Sequence, residues 1–346
     1  MPSLGRREYV ASAVASGASV ALLSGCLGGN SDTTNLTYGA GGSGSGTFAS
    51  GQAMAQIARE NTDVRITTQE TDGTEANLRL WSEGNNIDFF GTSNLAMNLA
   101  INGEEPFAES PMENYPYQGH TYGLNYTYML AREDTDIETY EDLRGANVWP
   151  LWPGSTIRLP VEMILQETGI WSDMEVINIS QSDIAGALEE QRVDAIAVYS
   201  SGYTEQLVGW NQEVDARADL RVLEMGDDVQ QTIEEMPVPP LGEVGTSGWE
   251  QDVGTDTAAA WEMSWQIYYD PDAPADAFTD LILALSENGD TYRDVTPTGP
   301  NFEENTEELT RVLNENFMEE CPIHPGAAEA YRELGLWEDD WMVEGE

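Results

Sequence analysis

Tyr38-Gly39-Ala40-Gly41-Gly42-Ser43-Gly44-Ser45-Gly46-Thr47-Phe48 decides how the rest of the chain is read. Five glycines and two serines in this run offer little to a core, but they let bare backbone approach another group closely. Beyond it, Ala53, Met54, Ile57 and Ala58 keep helical spacing. The pattern predicts a short strand, a glycine-rich turn and a helix over Tyr38–Ile57, the helix starting near Phe48 or Ser50. The first amides of such a helix lack intrahelical acceptors and point back into the turn, which favours anions. Taken by itself, the run also fits a mobile surface loop. A second turn, Pro153-Gly154-Ser155-Thr156-Ile157-Arg158, again lies between a strand-like run and a helix-like run. The pair is expected to face each other across a cleft.

At 346 residues the chain exceeds one ordinary domain, so two lobes are expected. Its 62 acidic residues against 14 arginines and no lysine give a net charge of -48. So acidic a chain repels nucleic acid, which excludes that class of partner. Disorder is the other reading of high charge, but 40% hydrophobic residues, with 10 Trp and 14 Tyr, can build a sizeable core. An acidic, hydrated shell adapted to concentrated salt is the better reading, because salt screens the self-repulsion. The acids show no EF-hand spacing, and the two histidines and two cysteines show no metal-ligand spacing, so neither metal nor cofactor is expected.

Residues 1–25 read as a twin-arginine signal peptide: Arg6-Arg7 precede the apolar run Tyr9–Leu23, which is too short for a comfortable membrane span. Leu23-Ser24-Gly25-Cys26 reads as a lipobox, with Cys26 the lipidated residue; an uncleaved N-terminal anchor is the alternative. Residues 26–35 form a polar tether. The expected location is the extracellular face of the cytoplasmic membrane, with a lipid anchor. Cys321 then stands alone and is expected to be a structural, buried thiol.

From Leu36 onward, Val64–Gln69 and Ile87–Phe90 read as strands, each passing through a Gly/Ser/Thr/Asn turn into a helix. This is the rhythm of a parallel α/β sheet, in which ligands sit at the carboxyl ends of strands. Tyr122–Arg132, Ala146–Trp149, Val176–Ile179, Val193–Tyr199 and Leu220–Leu223 read as further strands. Ile137–Arg144, Ser182–Arg192 and Tyr203–Val208 read as helices. Met236–Gly248 reads as a crossing segment, Trp261–Tyr269 as a strand, and Asp276–Glu287, Thr306–Phe317 and Ala327–Leu334 as helices. The expected organisation is lobe I from 36–122, lobe II from 123–235 and completion of lobe I by 236–346.

Five stretches resemble the TAXI-type solute receptors of TRAP transporters. They are Gly41–Thr47; Thr71-Asp72-Gly73-Thr74-Glu75-Ala76-Asn77-Leu78; Asp142-Leu143-Arg144-Gly145; Pro153-Gly154-Ser155-Thr156; and Ile323-His324-Pro325-Gly326-Ala327 with Tyr331-Arg332-Glu333-Leu334-Gly335. The resemblance implies a two-lobed, periplasmic-binding-protein-like α/β fold (type II, Venus flytrap) with a hinge and an interlobe cleft. It also implies a non-enzymatic receptor that delivers a small carboxylate, glutamate-like or dicarboxylic, to an ion-coupled TRAP permease. Two departures touch the ligand: Thr47-Phe48 replace the family's frequent aromatic pair, and Gly154-Ser155-Thr156-Ile157 replaces its Gly-Ser-Gly-Thr.

The candidate ligand-binding residues are Ser43, Ser45, Gly46 and Thr47 on the first turn, Thr74 and Asn77 on the next, Ser93 and Asn94 after the third strand, and Ser155, Thr156 and Arg158 on the distant turn. Hydroxyls and helix-terminal amides there can serve an anion, or act simply as caps and turn bonds. Arg158 could grip a carboxylate with its guanidinium fork, or pair with a surface acid. Trp152 and Tyr199, at strand ends, could wall the pocket or belong to the core. His120 and His324 are the only histidines, and His324 reads as a turn-fixing residue rather than a catalyst. Gly42-Ser43-Gly44-Ser45-Gly46 matches the nucleophile-elbow pattern, so a membrane-anchored serine hydrolase using Ser43 or Ser45 is a rival reading. A receptor for an ABC importer or a sensor is another.

Overall fold

A computed structural model describes residues 33–343, apart from 44, 85, 109–111, 113, 154, 208 and 237–238. The signal segment, Cys26 and most of the tether lie outside the described residues.

The chain runs β1 (Thr34–Gly39), α1 (Gly46–Asn61), β2 (Val64–Gln69), α2 (Thr74–Ser82), β3 (Phe89–Ser93), α3 (Asn94–Asn102) and the long β4 (Tyr117–Arg132). It continues with β5 (Asn147–Trp149), α4 (Arg158–Glu167), β6 (Glu175–Val176), α5 (Ile184–Glu189), β7 (Ala195–Ser201), α6 (Gly209–Asp215), β8 (Leu220–Val222) and α7 (Asp227–Glu235). The last part is β9 (Leu241–Gly245), β10 (Thr257–Tyr269), α8 (Ala275–Glu287), α9 (Gly289–Val295), α10 (Phe302–Glu315) and α11 (Pro325–Leu334). The fold is mixed α/β. One sheet runs in the order β2-β1-β3-β10-β4-β7-β5-β6, with β8 paired to β4 and β9 to β10.

The two ends of the sheet are parallel, as the strand–turn–helix rhythm predicts. The middle is not: β10 runs antiparallel to both β3 and β4, and β4 antiparallel to β7. Its two long strands carry two cores. Tyr128–Ala131 of β4 and Ala258–Met263 of β10 join a buried cluster built from residues 128–263. Tyr122 of β4 and Ile267 and Tyr269 of β10 join another, built from residues 36–89 and 277–341. The β4–β10 ladder shifts register between Trp265 and Gln266, where the strands pass from one core to the other. Alternation along the strands separates a third cluster: Phe89 and Tyr269 face one side, Phe90 and Tyr268 the side shared with Leu78 and Trp81.

Several sequence expectations are corrected. Tyr203–Val208 is not helical where it is described: Glu205 adopts φ +55, and its carbonyl oxygen occupies the space where Gly248 would carry a Cβ, so this segment is seated on a neighbouring turn. The helix starts only at Gly209. The Met236–Gly248 crossing contains β9, because the extended start of β10 offers it a partner. Val176–Ile179 yields only a two-residue strand, and Ile137–Arg144 only a 3-10 turn at Tyr140–Leu143. Among the described residues no helix is long and apolar enough to cross a membrane.

The isolated residues settle into the core. Cys321 is fully buried, and burial pushes its thiol up to about 12. His324 caps α11, its Nδ1 accepting from the Gly326 amide at 3.2 Å. His120 bonds Tyr269 at 2.7 Å.

Candidate functional site

A cavity of about 740 Å³ is walled by residues from both large cores. The glycine-rich turn forms its first wall. Ser45 is the N-cap of α1: its hydroxyl accepts from the Phe48 amide at 3.1 Å, and its own amide donates to the Gly42 carbonyl at 3.0 Å. The first intrahelical bond joins the Ala49 amide to the Ser45 carbonyl. The amides of Gly46 and Thr47 therefore precede the helical ladder, and both residues line the cavity. The turn can sit this close because Gly51 and Gly91 leave room behind it: a Cβ on either would come within 2.5 Å of Tyr38.

The second wall is the start of α2. Gly73 holds φ +136, a conformation glycine favours, and leaves the helix without a side-chain cap. Gly73 and Thr74 line the cavity. The third wall is the turn before α4, where Ser155, Thr156 and Ile157 line the cavity and no side chain caps the helix. Thr74 Oγ1 and Thr156 Oγ1 lie 3.1 Å apart, a hydroxyl bond across 82 positions of sequence. Three helix N-termini thus converge on one space, with the positive ends of their dipoles directed into it. On another side, Ser201 Oγ donates to the Thr298 carbonyl at 2.5 Å.

The NMT1-like family profile matches residues 38–335, a span that includes all three turns. The chain belongs to the NMT1-like family. A search of curated proteins finds no match. Among solved structures, the chain is similar to the periplasmic aliphatic sulphonate binding protein SsuA from Escherichia coli, at 16% identity, over 87% of this chain and 83% of that one, with a TM-score of 0.42. It is similar to a TctC solute binding protein from Polaromonas at 15% identity, over 82% and 96% of the two chains, with a TM-score of 0.47. The periplasmic sulfonate-binding protein SsuA from Methylobacillus flagellatus KT shares 14% identity, over 91% and 98%, with a TM-score of 0.48. Identities and scores this low carry no ligand or activity across to the NMT1-like chain.

The expected site residues divide into two groups. Ser45, Gly46, Thr47, Thr74, Trp152, Ser155, Thr156 and Tyr199 line the NMT1-like cavity together. Five others do not. Ser43 points outward, its amide donating to the Glu70 carboxylate at 2.8 Å, and that bond holds Glu70 below the usual carboxylate range. Asn77 is buried and pins the strand ends, donating to the carbonyls of Gly39 and Gly91 at 3.1 Å each. Ser93 caps α3, and Asn94 bonds Asn316. Arg158 turns away from the cavity. Its Nη1 donates to the Leu151 carbonyl at 3.1 Å and to Asn178 Oδ1 at 2.8 Å, and its Nε pairs with Glu162 at 2.5 Å. One helical turn of spacing places Glu162 beside it, and that local acid wins the guanidinium.

Sequence reasoning missed Tyr122, Trp210, Trp265 and Tyr292 as lining residues. Trp210 opens a short helix and packs edge-on against Trp149 at 5.2 Å and Trp152 at 6.4 Å, so an aromatic group forms part of the wall. Nothing local in the sequence marks these residues. The Thr296–Gly299 turn, which also lines the cavity, was legible as a Thr/Pro/Gly cluster. Burial pushes the phenols of Tyr122, Tyr199 and Tyr292 above the ordinary tyrosine range, so they act as neutral hydroxyls. Among the described lining residues none carries a charged side chain. No group of three or more acids, histidines or cysteines among the described residues could hold a metal ion.

Proposed function

We propose that this chain is the extracytoplasmic solute receptor of a TAXI-type TRAP transporter, capturing a small carboxylate and delivering it to an ion-coupled membrane permease. The observation that carries the reading is the convergence of three helix N-termini, from turns over 100 positions apart at the extremes, on one cavity. Such a place holds an anion with backbone amides and hydroxyls and makes no covalent bond to it. In this reading, Cys26 carries the lipid anchor. The two cores are two lobes, joined by β4 and β10, and the chain passes from lobe I to lobe II and back.

Hinge closure requires contacts that exist only when the lobes meet. The Thr74–Thr156 and Ser201–Thr298 bonds are of that kind. So is the packing of Leu159 and Met163 of α4 against the cluster of Leu78, Trp81 and Phe107. A hydrolase would need a base beside Ser43 or Ser45. The Ser45 hydroxyl instead serves α1, and both histidines pack around Tyr269 in the core.

Native mass spectrometry of the purified soluble domain tests the reading: a small organic anion should travel with the folded protein and leave on unfolding. Uptake reconstituted with the permease should follow an ion gradient; dependence on ATP would reassign the receptor to an ABC importer. Turnover of an ester panel, lost in Ser45→Ala, would overturn the receptor reading.

A further inference from the structure

We infer that the ligand is a monocarboxylate with a flat aromatic body, and that zwitterionic amino acids and dicarboxylates are poor ligands. The inference rests on the receptor reading and narrows it.

The cavity wall carries two kinds of chemistry. Gly46, Thr47, Thr74 and Thr156 offer amides and hydroxyls for an anionic head. Trp152, Tyr199 and Trp210 present ring surface: Tyr199 and Trp210 have centroids 6.0 Å apart at 60°, and Trp152 stands at 85° to Trp210. A planar ligand ring entering this group can adopt the offset or edge-on contacts aromatic pairs prefer.

Charge decides the rest. The chain carries 62 acids and 14 arginines, yet none is among the described residues that line the cavity. An amino acid's ammonium would be desolvated with no carboxylate to meet it. The second carboxylate of a dicarboxylate would likewise be desolvated with no cationic side chain among the described lining residues to meet it. The one arginine near the distant turn is already bound to Glu162, Asn178 and the Leu151 carbonyl, so it does not supply a second clamp. One negative charge for the amides and hydroxyls and an uncharged ring for the aromatic side chains is the combination the wall accepts.

Calorimetry in molar KCl with four probes tests this: phenylacetate, hexanoate, succinate and glutamate. Phenylacetate should bind most tightly, with hexanoate weaker and succinate and glutamate at least a hundredfold weaker. Trp152 is only half-buried, so Trp152→Ala should fold; it should lower phenylacetate affinity tenfold or more, while Trp152→Phe restores most of it. The thermal melt of each variant shows that a loss is not unfolding. Succinate or glutamate binding as tightly as phenylacetate would overturn the aromatic monoanion and leave a carboxylate receptor standing. Hexanoate matching phenylacetate would overturn the aromatic body alone. Failure of all four to bind would remove this inference and the carboxylate reading together.

Discussion

Replacing Arg158 separates two roles that look alike in the sequence. The side chain is 9% exposed, and its Nη1 is the donor to the carbonyl of Leu151, itself fully buried. Leu151 holds φ +72, an uncommon conformation for a leucine, so the arginine fastens the strained start of the Trp152–Ile157 turn. Arg158→Ala leaves that carbonyl buried without its donor, which costs about 1–3 kcal/mol. Loss of the pair with Glu162, whose side chain is 29% exposed, adds a few tenths, since such pairs are worth about 0.3–0.5 kcal/mol. The expected loss of stability is about 2–3 kcal/mol, read by urea unfolding in molar salt. Arg158→Lys should restore the ion pair but not the planar fork, and so recover only part. Affinity should fall less than tenfold, because the cavity loses a support and not a contact. Unfolding free energy unchanged within about 0.5 kcal/mol, beside abolished binding, would show that the guanidinium reaches the ligand and would refute the placement. A double-mutant cycle with Asn178→Ala should give a coupling of about 0.5 kcal/mol or more, as residues sharing a bond do.

Gly51→Ala should destabilise despite alanine's advantage of about 1 kcal/mol in a helix. The new methyl would stand 2.5 Å from the buried ring of Tyr38, and overpacking costs about 1–3 kcal/mol; a raised melting temperature would contradict it. Acid should weaken the fold below pH 6.5. Burial lowers His120 to about 3 and His324 to about 4, so the unfolded chain takes up protons that the folded one refuses. Stability from these groups is complete above pH 6.5 and is lost as the pH falls, towards 4 for His324 and towards 3 for His120, by about 2 kcal/mol per histidine at pH 5. Buried Glu262, whose carboxyl burial raises, works the other way. Comparing the slope in wild type and Glu262→Gln isolates the histidines, and equal urea midpoints at pH 7 and 5 in that variant would refute their role. Finally, the net charge of -48 should make stability depend on salt, since the Debye length shrinks from about 10 Å at 0.1 M to 3 Å at 1 M; a flat melting temperature over that range would reject the salt-adapted surface.

Much of the fold was legible because its signals are local. Ser93 announced a helix cap, and the alternation of short apolar strands with amphipathic helices announced α/β structure, although α1 starts at Gly46 with Ser45 as its cap, ahead of the expected start near Phe48 or Ser50. Asp227-Asp228 in the first turn, with Val229 and Ile233 one turn apart on the buried side, mark α7 in the same local way. The site was half legible for the same reason: a serine or threonine before a helix can be placed at the helix mouth from sequence. Whether its neighbour one turn later faces the mouth or the sheet cannot. Asn77 went to the strand ends because the helix's rotation against its sheet, set by packing, chose its direction, while Arg158 was held by Glu162 one turn on together with the distant Asn178 and the buried Leu151 carbonyl.

By itself the sequence determined that glycine-rich turns would bare helix amides, that nucleic acid would be repelled and that an α/β sheet would form, since each follows from backbone freedom, net charge or residue period. Only the tertiary structure decided that β4 and β10 run antiparallel through the middle of the sheet. It alone gathered tryptophans from positions 152, 210 and 265 around one cavity and kept charged side chains out of its described wall. Those outcomes depend on which distant surfaces meet, and long-range packing writes no local pattern into the chain.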